Sequence, residues 1–336
     1  MSAPFAAITG VGHSLPATER TNTDPVFAWL HAHPEAANAG LFTGLVNRYV
    51  LKDGERIETH MVIAAEAAMA EAGIRPDEVD GITGYLSRSE YVTPNALAWV
   101  HQQLGLPTSA WVRPVDDLFT CFLTGLSLAD AAVSLGRARN VLVVCGGNWS
   151  RQVDYQTAQA ITAADGAGAA VVGMTTDTSR FRLVDEATIM DTTEYGCMYL
   201  RPELVMPDGA PPYHEPTPVY TTPYFTISTA GGAAFKSFGA TAPVNLVQNL
   251  LARNNIAAAD ITLTGYQVST VLSSTWAQQI QPGQYIDTLA QLGNMTLATV
   301  PVNFARSYVD IAHDAVVMFV MNTSVGVGGL LLQRNR

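Results

Sequence analysis

The sequence predicts an α/β protein built from two similar halves. Apolar, strand-like runs alternate with segments of helical periodicity along the 336 residues, a pattern typical of sheets joined by helical crossovers. The segments 140–174 and 314–334 each resemble a closing pair of strands, so the second half repeats the order of the first. Hydrophobic residues make up 48% of the chain and charged residues 14%, so many helices must be covered on most of their faces.

The elements of the first half follow from apolar runs and helical spacing. The helix at 58–74 has helical spacing and ends at Gly73, a common residue at helix C-termini. The predicted strands cover 5–16 (with a turn), 79–87, 110–118, 140–147 and 165–174, and the predicted helices cover 58–74, 94–105 and the segment after Cys121. We place the boundary of the two domains after residue 178, which gives units of 1–178 and 179–336.

The second half contains the same kinds of element after a long irregular segment. Residues 185–228 are rich in Pro, Thr and Tyr and have no clear period, so we expect a loop or short-stranded excursion that walls a pocket or contacts a partner. The predicted elements that follow are a helix at 231–254, a strand at 261–268 and a helix directly after that strand. The segment 293–309 then begins another helix, and 314–334 form the closing hairpin.

Charge and cysteine usage exclude several classes of function. The net charge of −11, from 18 Lys and Arg against 29 Asp and Glu, disfavours a nucleic-acid partner. No stretch is apolar for the roughly 18 residues of a membrane span, and no secretion signal stands at the N-terminus, so we expect a cytoplasmic protein. Cys121, Cys145 and Cys197 lie too far apart for a zinc motif, and His31 and His33 face different sides of a helix, so no metal site is expected.

The segment VDDLFTCFLTGLSLADAAVSLG, residues 115–136, contains the most informative cysteine. Cys121 stands where a strand-like run passes into a helix whose only charge is Asp130, which predicts a buried central helix. Free cysteines are often simply buried apolar residues. A thiol at a helix N-terminus can instead have a lowered pKa and act as a nucleophile, because the first N–H groups of the helix stabilise negative charge. The residues alone leave both interpretations open.

Six segments resemble β-ketoacyl-acyl carrier protein synthase III (KAS III), a family of the thiolase superfamily. They are ITGVGHSLPATERTNTD, GLSLADAAVSLGRARNVLVVCGGNWSR, ADGAGAAVVG, TAGGAAFKSFGATAPVNLVQNLLARNNI, LGNMTLATVPV and SVGVGGLLLQR. Their order and spacing run nearly end to end along the chain. The resemblance implies a thiolase fold, in which two βαβαβαββ halves form five layers in the order α-β-α-β-α.

The resemblance also implies a catalytic set. In this family a cysteine at the start of the central helix accepts an acyl group, while a histidine and an asparagine polarise the thioester carbonyl. Asn294 in GNMT matches the asparagine, and the histidine position holds Tyr266, which can donate a hydrogen bond but is a poor base near pH 7. The nucleophile position falls on Phe119 when the alignment runs backward from GLSLAD, and on Cys121 when it runs forward from VDD. We expect Cys121, because it is the only thiol within reach.

Four further positions are expected to contact substrate by resemblance. Arg151 matches an arginine at the nucleotide end of coenzyme A, and Gln267 follows the histidine position. Thr93 stands where a bulky residue often reaches the partner's acyl pocket, and Phe119 adjoins the expected nucleophile.

These features predict a KAS III-like acyltransferase or specialised condensing enzyme that loads an acyl group from an acyl-CoA or acyl-carrier thioester onto a cysteine and passes it to an acceptor. Phosphopantetheine thioesters would be substrates, and no further cofactor is expected. The departures from the family suit secondary metabolism better than housekeeping fatty-acid initiation, within the family's range of polyketide or fatty acid biosynthesis. The alternative is a non-catalytic thiolase-fold subunit paired with an active homologue. We expect a homodimer, or a heterodimer with such a ketosynthase, with an acyl carrier protein as a possible partner.

Overall fold

The structure is a computed structural model that describes residues 3–37, 41–91, 93–200, 203–205, 208–209, 211, 217–219 and 224–334. The strands are β1 (Phe5–Ser14), β2 (Thr18–Thr21), β3 (Asn47–Val50), β4 (Gly81–Ser87), β5 (Trp111–Pro114), β6 (Asn140–Asn148), β7 (Asp165–Thr175), β8 (Arg182–Met190), β9 (Met198–Tyr199), β10 (Glu203–Val205), β11 (Thr217–Val219), β12 (Thr226–Ile227), β13 (Ile261–Gly265), β14 (Gln284–Ile286), β15 (Ala315–Asn322) and β16 (Gly326–Gln333). The helices are α1 (Ala28–Ala32), α2 (Pro34–Ala37), α3 (Ile57–Ala72), α4 (Leu97–Gln103), α5 (Cys121–Ser134), α6 (Thr229–Asn254), α7 (Thr270–Ile280), α8 (Leu289–Leu292) and α9 (Thr299–Ser307).

Two five-stranded sheets with the same pairing pattern form the framework. The first has the order β5-β4-β6-β7-β1, and the second has the order β14-β13-β15-β16-β8. In each sheet the first two pairings are parallel and the last two are antiparallel. The predicted similarity of the two halves is therefore confirmed at the level of strand order and direction.

Helices cover both sheets and fill the space between them. On the outer faces, α3 and α4 pack on the first sheet, while α6 packs on the second and is joined by α7. Between the sheets lie α5 and α9, and the large core cluster around α5 includes buried residues of the second sheet. This is the predicted five-layer arrangement. Gly73 ends α3 in the left-handed conformation, with φ of 68° and its N–H directed to the Ala70 and Met69 carbonyls, as the sequence predicts.

Two expectations about the elements need correction. The irregular excursion was placed at 185–228, but residues 185–190 belong to β8, the edge strand of the second sheet, so the excursion begins after Met190. Helix α5 is central but not buried on all sides. Phe122, Leu126 and Ala129 are buried, whereas Leu128 is 48% exposed.

No helix in the described part of the chain is long and apolar enough to cross a membrane.

Candidate active site

The start of α5 separates Phe119 from Cys121. A 3-10 turn over Leu118–Thr120 precedes the helix, and Cys121 is its first α-helical residue. Residues two positions apart in a helical segment point in nearly opposite directions, because each residue turns the chain by about 100°. One of these two side chains can therefore face a pocket only if the other faces the core.

Cys121 faces the core. Its side chain has no exposed area, and its Sγ lies 3.7 Å from the Sγ of Cys145 on β6. Burial raises the pKa of the Cys121 thiol well above its usual value, and Cys145 and Asp117 raise it further. Such a thiol stays protonated at neutral pH and is a poor nucleophile. The expectation that Cys121 faces the pocket is therefore wrong, because the turn before α5 directs it between α5 and β6.

Phe119 takes the pocket-facing place. Its ring stacks on Tyr266 at 5.8 Å between centroids with an interplanar angle of 17°. It also meets Trp149 edge-on at 6.4 Å and lies 6.3 Å from the ring of Phe225. These four rings and Asn294 are among the residues that line a cavity of about 30 Å³, which we call the inner chamber. A cavity of this volume holds a water molecule or a carbonyl oxygen, but not an acyl chain.

Asn294 and Tyr266 supply the polar wall of the inner chamber. Asn294 donates from Nδ2 to the Tyr266 hydroxyl at 3.3 Å, while its Oδ1 accepts from the Thr296 N–H at 2.8 Å. The Asn294 backbone N–H is fixed by the Thr162 carbonyl at 2.8 Å. Burial raises the pKa of Tyr266 to about 12, so the hydroxyl is protonated at neutral pH and acts as a donor. The structure brings together these two predicted residues.

Gln267 supports the chamber without lining it. Its Oε1 accepts from the Thr288 N–H at 2.8 Å and from Asn303 Nδ2 at 2.6 Å, and its Nε2 donates to the Gly293 carbonyl at 3.4 Å. These bonds hold the turn that presents Asn294. In the structure the Gln267 amide has a positioning role, because it is buried and bonded to protein groups on both ends, and its contact with substrate stays a prediction.

Arg151 and Thr93 lie outside the walls of the cavities described here. Arg151 is exposed and donates from Nη2 to the carbonyls of Lys52 and Glu55, at 2.7 and 2.8 Å, which ties the turn after β3 to the turn after β6. Thr93 is exposed, between Tyr91 and Asn95, which line the cleft described next. Neither residue is brought to the inner chamber.

Two clefts adjoin the inner chamber. Aromatic side chains that sequence analysis does not single out as a group form the wall between them and the chamber. One, of about 720 Å³, shares Phe119, Trp149 and Phe225 with the chamber, and we call it the aromatic cleft. The other, of about 680 Å³, also includes Phe225. Trp149 directly follows the apolar strand β6, and Phe225 lies in the Tyr- and Pro-rich stretch. The position of Trp149 at a strand end was the only sequence signal for its role.

Comparisons with known proteins agree with this architecture. A family model described as 3-oxoacyl-[acyl-carrier-protein (ACP)] synthase III matches residues 117–191. The β-ketoacyl-[acyl-carrier-protein] synthase III of Ruegeria pomeroyi is 31% identical over 175 residues, so the match spans 50% of this chain and about half (51%) of that relative. The corresponding protein of Thiobacillus denitrificans is 26% identical over 306 residues, 89% of each chain. The priming β-ketosynthase of the R1128 polyketide pathway superimposes with a TM-score of 0.81 at 20% identity, covering 98% of this chain and 96% of the other.

Proposed function

We propose that this chain, which is similar to β-ketoacyl-[acyl-carrier-protein] synthase III proteins, transfers an acyl group from a thioester to an acceptor without forming an acyl-cysteine on Cys121. The proposal keeps the acyl chemistry named for its relatives and replaces the covalent step with direct transfer. It is supported by one observation above all: Asn294 Nδ2 donates to the Tyr266 hydroxyl at 3.3 Å, and both of these side chains line a chamber of about 30 Å³.

The donor pair suits a thioester oxyanion. An amide N–H of Asn294 and the hydroxyl of Tyr266 would both donate to the carbonyl oxygen as negative charge develops on it, which is the usual role of an oxyanion hole. Because Asn294 is fixed through Thr296 and Thr162, its amide does not need to reorganise during the reaction. The fixed geometry favours the transition state over the ground state.

The reaction would form one bond and break one bond. The nucleophilic atom of the acceptor attacks the thioester carbonyl carbon, the C–S bond breaks, and the leaving thiolate takes the proton that the acceptor loses. Among the residues described around the inner chamber there is no histidine and no carboxylate. The acceptor must therefore be reactive without an enzymic base, as a neutral amine is.

The similarity to β-ketoacyl-[acyl-carrier-protein] synthase III proteins supports a proposal for the donor and the cellular setting. We propose acyl-CoA or an acyl carrier protein as the thioester donor, in the cytoplasm and within a secondary pathway. The structural similarity to a priming β-ketosynthase of a polyketide pathway supports this setting. A homodimer, or a heterodimer with a second ketosynthase, belongs to the same proposal.

A second candidate function is favoured by Phe119. The ring takes the pocket-facing position at the start of α5, and the inner chamber is too small for an acyl chain. Both features suit a non-catalytic subunit that pairs with an active homologue. Such a subunit would show no turnover by itself and would co-purify with a second thiolase-fold chain.

Acyl transfer to hydroxylamine tests the proposed function directly. With acyl-CoA donors, wild-type protein should form the hydroxamate and release free thiol. Asn294→Ala should lower kcat/KM about 100-fold and Tyr266→Phe about 10-fold, since removing an oxyanion-hole donor costs roughly two to three orders of magnitude in well-studied enzymes, and less where a second donor remains. Thiol release and hydroxamate formation are measured together.

Two controls accompany this assay. Tyr285→Phe removes another buried tyrosine hydroxyl, outside the walls of the chamber and clefts described above, and should leave kcat/KM unchanged. Cys121→Ala should also retain transfer activity. Loss of transfer in Cys121→Ala, in protein that remains folded by circular dichroism, would contradict direct transfer. Absence of turnover in the wild type would favour the partner-subunit function.

A further inference from the structure

Trp149 contains a buried hydrogen-bond donor that the fold leaves without a partner. The side chain is 5% exposed, and its Nε1 has no acceptor among the residues that the structure describes. Buried tryptophan N–H groups usually find a partner, because an unpaired donor in an apolar site is costly. Trp149 lines both the inner chamber and the aromatic cleft, so a ligand in either space can supply the missing acceptor.

The aromatic cleft has the size and the polarity of a small-molecule site. Its volume of about 720 Å³ falls within the roughly 300–1,000 Å³ typical of ligand pockets. Its charged wall residues Arg88, Glu90 and Asp116 are exposed, whereas Phe119 and Trp149 are buried. The cleft is therefore polar at its mouth and apolar at its floor, which suits a ligand with a polar end and an apolar body.

The wall of this cleft is rich in flat rings. Six of its aromatic residues are Tyr85, Phe119, Trp149, Tyr195, Tyr199 and Phe225. Trp149 and Phe225 meet edge to face at 5.1 Å, with an interplanar angle of 67°. Both hydrogen-bonding groups of the Phe225 backbone have partners: the N–H donates to the Gln152 carbonyl at 2.9 Å, and the carbonyl accepts from Gln159 Nε2 at 2.8 Å. Rings held at such angles favour a planar ring between them over a flexible chain.

We propose that the aromatic cleft binds a planar aromatic acyl group whose carbonyl oxygen accepts a hydrogen bond from the indole N–H of Trp149. This inference rests on the proposed function, since it names the class of acyl group that the same site takes. Trp149 is a specificity-determining residue in this account. The ring of the ligand lies among the aromatic side chains of the cleft, and its carbonyl oxygen lies at the inner chamber, which Trp149 lines together with Asn294 and Tyr266.

Binding of paired thioesters tests the ring preference. The probes are the benzoyl and cyclohexanecarbonyl thioesters of N-acetylcysteamine, which have the same number of acyl carbons and differ in planarity. Ketone analogues with CH₂ in place of sulfur cannot transfer their acyl group, so titration calorimetry with them reports binding alone. The benzoyl compounds should bind about 10-fold more tightly than the saturated ones in both series. Equal affinity would overturn the inference.

Substitution of Trp149 tests the hydrogen bond. Trp149→Phe should weaken binding of the benzoyl ketone about 10-fold, in line with the usual net contribution of one hydrogen bond. It should not weaken binding of the analogue in which the ketone is reduced to CH₂. Trp111→Phe is the matched control, because Trp111 is half-buried, packs under Arg113 and does not line the cleft.

The outcomes separate this inference from the proposed function. Ring-selective binding that depends on Trp149, without turnover of the thioester, supports the inference and counts against the proposed transfer. Turnover without ring preference, or equal binding by wild type and Trp149→Phe, overturns the inference and leaves the transfer proposal standing. If a second copy of the chain fills the cleft in solution, the benzoyl ketone fails to bind and the inference is likewise overturned.

Discussion

Tyr266 and Asn294 provide hydrogen-bond donors to the inner chamber but no general base. Tyr266 is fully enclosed, and burial raises its pKa to about 12, so the neutral hydroxyl persists through the physiological range. The Asn294 amide is neither an acid nor a base near neutral pH. A site made from these two side chains can polarise a carbonyl but cannot remove a proton from an acceptor, and this restricts the chemistry to acceptors that are already nucleophilic.

The raised pKa of Tyr266 predicts how the unfolding free energy changes at alkaline pH. The folded state holds the phenol neutral up to about pH 12, whereas an unfolded tyrosine ionises near pH 10. The stabilising contribution of the neutral group is therefore full below pH 10 and is lost as the pH rises towards 12. Between pH 8 and pH 11 the wild type should lose about 1 kcal/mol more unfolding free energy than Tyr266→Phe, as measured by urea unfolding. Equal losses would show that Tyr266 ionises normally in the folded protein.

The entry into α5 decides which side chain reaches the chamber. The local sequence LFTCFLTG is mostly apolar on both sides of the junction, so periodicity does not predict which side chains at the start of the helix face the core. Tertiary packing settles it: the 3-10 turn leaves Cys121 against Cys145 and places Phe119 against Tyr266. The two-residue ambiguity in the alignment thus has a physical origin. Chemical reasoning favoured Cys121 as the pocket-facing residue, whereas the structure has Phe119 in that orientation.

Close packing of β7 against α9 holds the middle of the molecule together. A Cβ at Gly168 on β7 would lie 2.6 Å from the Pro301 Cβ and 2.8 Å from the Val302 backbone nitrogen on α9. The strand and the helix therefore touch directly at this glycine, and α9 follows closely on the segment that contains Asn294. The small residue sets the distance between the first sheet and the central layer.

Gly168→Ala should accordingly lower the unfolding free energy by about 2–3 kcal/mol, because overpacking at a backbone contact forces the layers apart. Chemical denaturation measures the change. Gly232→Ala is the control: a Cβ at Gly232 would have no neighbour within 4 Å, and alanine suits helix α6 better than glycine. That variant should be unchanged or slightly more stable. A loss of equal size in both variants would contradict the proposed contact.

At the scale of the whole molecule, the repeated pairing pattern of the two sheets is what the sequence predicts most reliably. Long, regular elements such as α3, β7 and the β15–β16 hairpin follow from periodicity and from glycine at their ends. Short edge strands such as β14 and the β2–β3 pair were not predicted, because three or four residues are too few to show alternation. The boundary of the excursion was misplaced because β8 alternates in burial but is rich in polar residues.

The candidate site was predicted in part. Asn294 and Tyr266 follow from the resemblance and lie in contact, whereas Gln267 supports the turn behind them. The aromatic wall comes from segments far apart in sequence, so no local pattern could assemble Phe119, Trp149 and Phe225. Residues that meet only through the tertiary fold are the ones that sequence reasoning missed.

Intact-protein mass spectrometry after incubation with acyl-CoA tests the central claim most directly. The wild type should acquire no acyl adduct, because the Cys121 thiol is buried against Cys145. Phe119→Cys should acquire one acyl group, since it replaces the pocket-facing ring with a thiol, and the double variant with Cys121→Ala should keep it. An adduct on the wild type that disappears in Cys121→Ala would contradict the account, as would a Phe119→Cys variant that remains unmodified.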